Sequence, residues 1–266
     1  MTLSVLIINA DDFGYSLTTN QAILRSFERN LINSTSLMAN MAGFDDAINM
    51  VHRHAVPEGK VGIHLNLTEG YPVTRHLRGL PVFCDDSGRL IYDRQRAMIH
   101  LGRKEKEGLY GELKGQVERV LSAGIRPTHL DSHHHVHTEW AIAPLVCRLA
   151  REYGIRRIRL TRNMGPVGHY AKRIYKRIYN SWYLGRHSGF ANTDYFGDIA
   201  DISDHAKMDG RGRIMLLPGR SYEVMVHPLF DDRANLVDLN GEDLEHRLWP
   251  ILGSVADLTL DTPSLK

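Results

Sequence analysis

Residues 3–31, LSVLIINADDFGYSLTTNQAILRSFERNL, show how the fold begins. Leu3–Ala10 is an apolar run, which is typical of a strand buried on both faces. Leu17–Asn30 then places apolar residues at helical spacing, after a helix start signal at Ser16 and Thr18. A buried strand followed by an amphipathic helix is the repeating unit of a parallel α/β fold.

The same order of strand and helix recurs through the 266 residues. Repeated β-then-α order without hairpin signals predicts a parallel sheet. About seven such units favour an α/β fold with one distorted, TIM-barrel-like (β/α) barrel of about seven parallel strands. An open, doubly wound sheet is the alternative, but no glycine-rich GxGxxG motif follows the first strand. The predicted strands are Leu3–Ala10, Ser34–Met38, Val61–Leu67, Thr128–Asp131, Ile155–Leu160, Thr193–Phe196 and Glu223–Val226, and the predicted helices are Leu17–Asn30, Asp45–His54, Gly111–Ala123 and Glu139–Tyr153.

We interpret residues 1–266 as a single domain with one long insertion. The insertion covers residues 68–104, which are irregular and rich in glycine, proline and arginine. A segment of this kind between a strand and a helix predicts a long loop over one rim of the barrel.

Composition and charge narrow the class of protein. A hydrophobic share of 42% with 24% charged residues is ordinary for a globular chain and excludes disordered and fibrous classes. The 33 Lys and Arg against 31 Asp and Glu are too balanced for a nucleic-acid binder. Val5–Ala10 is far shorter than the ~20 residues of a membrane span and runs into two aspartates, unlike a secretory signal. Since Cys84 and Cys147 lack CxxC spacing, we expect a cytoplasmic protein with reduced thiols.

Acidic residues and histidines gather where four predicted strands end. Asp11 and Asp12 follow the first strand, and His64 lies in the third. Five of the 15 histidines fall within residues 129–137, and His227 follows the last strand. Because parallel strands end at one rim, these side chains are expected to converge there. Histidine and carboxylate ligands with an open coordination position make a divalent-metal site that activates water for hydrolysis.

Each of these residues alone also fits a structural role. An Asp-Asp pair after a strand is commonly a turn or a helix N-cap. A single histidine in an apolar strand, such as His64, is more often a hydrogen-bonded core residue, and His227 before a proline can be structural. The histidine run is more specific, because positions 133, 135 and 137 share one side of an extended chain. Together, the four groups at strand ends indicate a metal site.

Four motifs resemble those of the YdjC-like carbohydrate deacetylases, which include chitooligosaccharide deacetylases. They are NADDFG (9–14), GIHLNLTEG (62–70), THLDSHHHVH (128–137) and VMVHP (224–228), in the expected order. The resemblance implies a distorted (β/α) barrel and one divalent metal ion, Mg²⁺ or Zn²⁺. The sequence departs from the family pattern at Leu229, where a glycine is common in the family. By position the resemblance implies that Asp12, His64 and His133 bind the metal, that Asp11 is the general base and His227 the general acid, and that His135 and His137 face the substrate.

The resemblance also implies an activity. The chain is expected to be a carbohydrate deacetylase that hydrolyses the N-acetyl group of an amino sugar or oligosaccharide and releases acetate. One alternative is another metal-dependent hydrolase or isomerase acting on a phosphorylated sugar, although two-metal phosphatases usually carry more carboxylates than Asp11, Asp12 and Asp131. The other is a catalytically silent sugar-binding protein, for which a complete set of base, metal ligands and acid is unexpected.

A basic segment at residues 148–187 carries eleven Lys and Arg against one acidic residue. Within it, Tyr170–Arg186 has helical spacing with its aromatic residues on one side. The pattern is typical of an outer helix whose aromatics pack inward and whose cations are solvated. The alternative is peripheral contact with an anionic or lipid-linked substrate, or a homodimer contact. Otherwise the predicted partner is a small acetylated sugar, and no nucleic acid.

Overall fold

The structure is a computed structural model that describes residues 4–93, 100–164, 170–182, 184, 189–205 and 207–252. Its strands are β1 (Val5–Phe13), β2 (Ser34–Leu37), β3 (Val61–Leu65), β4 (Leu130–Ser132), β5 (Tyr195–Asp198), β6 (Lys207–Met208), β7 (Ile214–Met215), β8 (Ser221–Val226), β9 (Leu229–Phe230) and β10 (Leu236–Val237). Its α-helices are α1 (Leu17–Glu28), α2 (Phe44–His52), α3 (Arg103–Ser122), α4 (Ala143–Glu152), α5 (Tyr170–Trp182), α6 (Ile199–His205) and α7 (Leu244–Leu252), and short 3-10 helices cover Glu58–Lys60 and His133–Thr138.

Six strands form one sheet in the order β4-β3-β2-β1-β8-β5. Every neighbouring pair in it is parallel, which confirms the predicted α/β class. In the centre, Asn9 of β1 lies beside Ser34 of β2 and Met225 of β8. The remaining short strands form two antiparallel pairs, β9 with β10 and β6 with β7.

The sheet is a curled half-barrel and does not form the closed barrel of about seven strands that the sequence predicted. The predicted strand Ile155–Leu160 makes only one bridge, between Ile158 and Leu130 of β4. Further along, the backbone N–H groups of Asn163 and Met164 both donate to the carbonyl of Phe196 in β5. Residues 155–164 therefore contact both edge strands of the half-barrel, β4 and β5, at separate points, and they form no continuous ladder with either strand.

The two faces of the sheet differ in polarity. In β1, Leu6, Ile8 and Ala10 belong to the hydrophobic core, whereas the alternating residues Asn9 and Asp11 are buried among polar groups. Because successive side chains of a strand point to opposite faces, one face of the sheet packs against helices and the other carries polar side chains. The sequence predicted the burial of this strand on both faces but not the polar character of one of them.

The polar face is the inner side of the curl, as the contacts of Arg159 show. Its guanidinium contacts Asp11 of β1, Asp131 of β4 and Glu223 of β8. In a flat sheet, β4 and β8 would lie about 19 Å apart, since neighbouring strands are spaced by about 4.8 Å. One side chain can reach all three strands only from the concave face.

Helix α3 begins at Arg103, well before the predicted start at Gly111. Its first turns are charged and largely exposed, so that no apolar period marks them in the sequence. The start is instead fixed by a cap, in which the backbone N–H of Gly102 donates to Oε2 of Glu105 at 2.6 Å. This is one half of a capping box, and it satisfies a backbone donor that has no partner inside the helix.

Residues 68–93 of the predicted insertion contain no helix or strand, whereas residues 103 and 104 at its end already belong to α3. Residues 73 and 74 connect this loop to α3 through hydrogen bonds to the buried carboxylate of Glu112. This group accepts hydrogen bonds from the backbone N–H groups of Val73 and Thr74, both at 2.8 Å, and from the Thr74 hydroxyl at 2.6 Å. Residues 68–93 therefore form an ordered loop over the rim where strands β1 and β3 end.

The predicted basic helix is present as α5. Tyr179 is fully buried, whereas Trp182 at the end of the helix is 78% exposed, so its aromatics do not all pack inward. Residues 183 and 185–188 and the side chains of Lys172 and Arg173 lie outside the described part. Contact with an anionic substrate or a second copy remains a prediction. No helix in the described part of the chain is both long and apolar enough to cross a bilayer.

Candidate active site

An irregularity at the end of β1 places two adjacent aspartates in one cavity. The register of β1 against β2 shifts between Ala10 and Phe13, and Asp12 has a φ of 68°. This left-handed conformation is uncommon outside glycine, and such bulges turn a side chain in a new direction. In a regular strand Asp11 and Asp12 would point to opposite faces, but here both line the cavity.

Asp12, His64 and His133 form a compact group of three potential metal ligands. Oδ1 of Asp12 lies 2.8 Å from Nδ1 of His133 and 3.2 Å from Nε2 of His64. One ligand atom from each residue lies within 4.8 Å of the other two. Burial by itself would raise the pKa of Asp12, but hydrogen bonds with His133 and His64 hold it well below its usual range. Two imidazole nitrogens and an ionised carboxylate fit a divalent cation such as Zn²⁺, and a mixed N/O set also admits other divalent ions.

His64 is oriented from behind by Asp131 and Ser36. Its Nδ1 lies 2.8 Å from Oδ1 of Asp131 and 3.1 Å from the Ser36 hydroxyl, which also donates to Oδ2 of Asp131 at 2.9 Å. Burial opposes a charge on His64, but the Asp131 carboxylate and the hydrogen bonds with Asp12 and Asp131 raise its pKa to about 10. A carboxylate on the second nitrogen of a ligating histidine fixes the ring orientation. Nε2 of His64 therefore faces Asp12.

Arg159 is the main residue that the sequence analysis missed. Its guanidinium is fully buried and donates to Asp11 from Nη1 at 2.6 Å and from Nη2 at 2.7 Å. Nη2 also lies 2.8 Å from Asp131, and Nε donates to Glu223 at 2.7 Å. Burial disfavours the charged form, but these three carboxylates raise its pKa well above the ordinary value. The signal in the sequence is the alternation of Arg157 and Arg159 within the predicted strand Ile155–Leu160, which the basic charge of residues 148–187 as a whole concealed.

Asp11 and His227 lie close together in the cavity. Nε2 of His227 lies 3.9 Å from Oδ2 of Asp11. His227 follows β8, and its backbone N–H donates to Asp238 at 2.8 Å. Asn9 donates to Oδ1 of Asp11 at 2.8 Å, so this carboxylate is held by Asn9 and Arg159 together.

The two histidines expected to face the substrate take different places. His135 lines the cavity and packs edge-on against Phe196, with 5.7 Å between ring centroids. His137 is fully buried and does not line this cavity. Its Nδ1 lies 2.5 Å from the Ser132 hydroxyl and its Nε2 lies 3.1 Å from the Arg159 carbonyl. The expected period-two alternation fails because His134 and His135 both have positive φ, which breaks the extended chain.

Two cavity residues, Tyr15 and Glu69, were also missed. Oε1 of Glu69 lies 3.3 Å from Nε2 of His133, and a hydrogen bond with Glu69 raises the pKa of the Tyr15 hydroxyl. Glu69 stands in the motif GIHLNLTEG, which was quoted for His64 alone. The cavity that these residues share has a volume of about 840 Å³. A size near this is usual for the site of a small organic ligand.

A comparison with models of protein families shows to which family the chain belongs. The family model described as YdjC-like protein matches residues 5–249. The chain belongs to the YdjC-like family. This confirms the resemblance found in the sequence motifs.

Individual relatives agree with this membership. A carbohydrate deacetylase from Vibrio parahaemolyticus is 35% identical over 250 residues, which are 91% of this chain and 85% of that protein. A carbohydrate deacetylase from Brevibacillus brevis is 42% identical over 150 residues, but these are 56% of this chain and 57% of that protein. A crystal structure from Enterococcus faecalis V583, of a protein whose name refers to cellobiose-phosphate cleavage, superposes with a TM-score of 0.64. It is 23% identical and covers 88% of this chain and 84% of that chain, and it supports the fold alone.

Proposed function

We propose that the chain is a metal-dependent carbohydrate deacetylase that hydrolyses the N-acetyl group of an acetylated amino sugar or oligosaccharide and releases acetate. The observation that carries the proposal is the convergence of the Asp12–His64–His133 group with Asp11 and His227 in one cavity. The names of the Vibrio and Brevibacillus relatives support the choice of a sugar as substrate.

Asp12, His64 and His133 would hold one divalent ion, either Mg²⁺ or Zn²⁺. Such an ion supplies Lewis-acid polarisation of a carbonyl oxygen and makes a neighbouring water more acidic. The contact of Asp131 with His64 supports this assignment, because it directs one nitrogen of the ring toward Asp12.

Asp11 is assigned as the general base that takes a proton from the attacking water. Each carboxylate oxygen can accept two hydrogen bonds, and Oδ2 of Asp11 accepts one from Arg159. Oδ2 therefore keeps a second acceptor position, and Asp11 lines the cavity. Arg159 and Asn9 hold the Asp11 carboxylate in one orientation. The attacking water therefore meets a proton acceptor whose position is already fixed.

His227 is assigned as the general acid. An amine anion is a very poor leaving group, so cleavage of the C–N bond requires a proton on nitrogen. The distance of 3.9 Å between Nε2 of His227 and Oδ2 of Asp11 supports a role of both side chains at one reacting group. A proton taken by Asp11 and a proton given by His227 complete the hydrolysis, with acetate and a free amino sugar as products.

The test is acetate release from N-acetylated mono- and oligosaccharides, measured together with the metal content of the same sample. Phosphate release from phosphorylated sugars should be followed in parallel. Acetate release that depends on bound metal supports the proposal, whereas phosphate release without acetate release would overturn it. Sugar binding without turnover in the metal-loaded protein would assign it to the sugar-binding alternative.

A further inference from the structure

The two ring nitrogens of His133 have different acidic neighbours. Nδ1 lies 2.8 Å from Oδ1 of Asp12, and Nε2 lies 3.3 Å from Oε1 of Glu69. A neutral imidazole has one N–H and one lone pair, so only one of its nitrogens can bind a metal ion. The identity of that nitrogen follows from which acidic neighbour accepts the N–H.

Glu69, His133 and His134 could also form a ligand group, since their ligand atoms lie within 4.8 Å of one another. That choice would use Nε2 of His133 and separate it from Asp12 and His64. Glu69 is 35% exposed on its side chain, and His134 is exposed as well, whereas His64 is fully buried. The buried group containing Asp12 is the better metal site, and Glu69 is left to accept the N–H of His133.

Glu69 is held in this position by its own loop. The side-chain oxygen of Asn66 accepts hydrogen bonds from the backbone N–H groups of Thr68 at 3.0 Å and Glu69 at 3.2 Å. The side-chain amides of Asn66 and Asn40 donate to the Glu69 carbonyl at 2.9 and 3.0 Å. Gln116 of α3 in turn bonds the backbone N–H and carbonyl of Asn66, at 2.9 and 2.7 Å. The backbone of Glu69 is thus tied to strand β3 and helix α3.

The Glu69 carboxylate also has Tyr15 as a neighbour. Its proximity raises the pKa of the Tyr15 hydroxyl, and the Tyr15 ring lies 6.4 Å from the His133 ring. Tyr15 follows β1, and Glu69 follows β3. Glu69 and Tyr15, which follow different strands, therefore both lie beside the His133 ring.

On the basis of the proposed function, we propose that Glu69 is the positioning residue of the metal ligand His133. It accepts the N–H of Nε2 and directs Nδ1 to the metal. Asp131 does the equivalent for His64, but at the other nitrogen, since it contacts Nδ1 and leaves Nε2 for the metal. The two histidine ligands therefore bind one ion through different ring nitrogens.

The first test measures metal affinity, by titrating Zn²⁺ into the metal-free protein with a competing chelator. Loss of a carboxylate behind a metal ligand commonly weakens affinity by about 10- to 100-fold, and we expect this for Glu69→Ala. Glu69→Gln retains an oxygen that can accept the N–H and should recover most of the affinity. Asp86→Ala, at an exposed acid of the same insertion, is the control and should bind as wild type.

The second test identifies the metal-bound ring nitrogens directly. In the Zn²⁺-loaded protein, two-bond ¹⁵N–¹H spectra of labelled histidines distinguish metal binding through Nδ1 from binding through Nε2. We expect one ring of each kind, and Glu69→Ala should alter the Nδ1-bound ring. Two Nε2-bound rings, or wild-type affinity in Glu69→Ala, would overturn this inference while leaving the proposed function standing. Absence of Zn²⁺ binding by wild type would overturn both.

Discussion

Arg159 and Asp11 form a fully buried, bidentate ion pair. Nη1 of Arg159 lies 2.6 Å from Oδ2 of Asp11, and Nη2 lies 2.7 Å from Oδ1. The same guanidinium lies 2.8 Å from Asp131, the carboxylate that orients His64. The assigned base and one assigned metal ligand are thus positioned by a single side chain. A planar guanidinium can do this because its donors form a rigid fork, whereas an ammonium is a point charge.

Arg159→Lys should therefore separate charge from geometry. We expect kcat to fall by about 100-fold, since small misplacements of a catalytic group cost that much. KM should change little, because Arg159 does not line the cavity. Steady-state kinetics on an N-acetylated sugar and metal analysis of the same sample check this. Arg162→Lys, at a half-buried arginine paired with Asp198 and Asp201, is the control. Full activity in Arg159→Lys would show that the fork is not needed.

Asp11 and Asp12 are adjacent but are assigned different roles, and their amide variants should fail in different ways. Asp11→Asn should retain bound metal and lose about 10²- to 10⁴-fold in turnover, the usual contribution of a general base. Asp12→Asn should lose metal affinity as well as activity, because an amide oxygen carries no charge. Metal titration and turnover on the same preparations distinguish the two. If both variants lost metal equally, the division of roles between the aspartates would be wrong.

The strand ends, and the acidic residues and histidines beside them, could be predicted from the sequence because these signals are local and repeat in a fixed order. Arg159 could not be found in the same way. Its role depends on the curl that brings β4 and β8 to one side chain, which is a property of the whole sheet. The position of His137 outside the cavity has a local cause. The positive φ of His134 and His135 breaks the extended chain and changes the side to which His137 points. The number of strands was overestimated because Ile155–Leu160 has strand composition but makes one bridge.

Gly62 in the motif GIHLNLTEG should tolerate no side chain. A Cβ at this position would lie 2.3 Å from the ring of His129, which is fully buried immediately before β4. Overpacking of this kind typically costs about 1–3 kcal/mol, and we expect Gly62→Ala to lower the free energy of unfolding by that amount. Gly59→Ala is the matched control, because nothing lies within 4 Å of its Cβ. Urea denaturation of both variants is the measurement, and equal stability would contradict the packing argument.

Removal of the metal should affect stability as well as activity. A ligand that binds only the folded state adds about 2.7 kcal/mol when it is present at 100 times its dissociation constant. Wild type should therefore melt at a higher temperature in saturating Zn²⁺ than after chelation. His133→Ala should lose this shift, because it removes one of three ligands. A thermal shift that survives in His133→Ala would place the bound ion elsewhere.

The role of His227 can be separated from that of Asp11 by the choice of leaving group. An amide nitrogen must be protonated as it leaves, whereas an aryloxide such as p-nitrophenolate leaves without a proton. His227→Gln should therefore lower N-acetyl sugar hydrolysis by about 10²- to 10⁴-fold, the usual contribution of a general acid, and leave p-nitrophenyl acetate hydrolysis nearly unchanged. Asp11→Asn should lower both, because both reactions need water to be deprotonated. His246→Gln, at an exposed histidine of α7, is the control for loss of a histidine. Equal losses on the two substrates in His227→Gln would show that His227 acts in binding or in water activation and not as the acid.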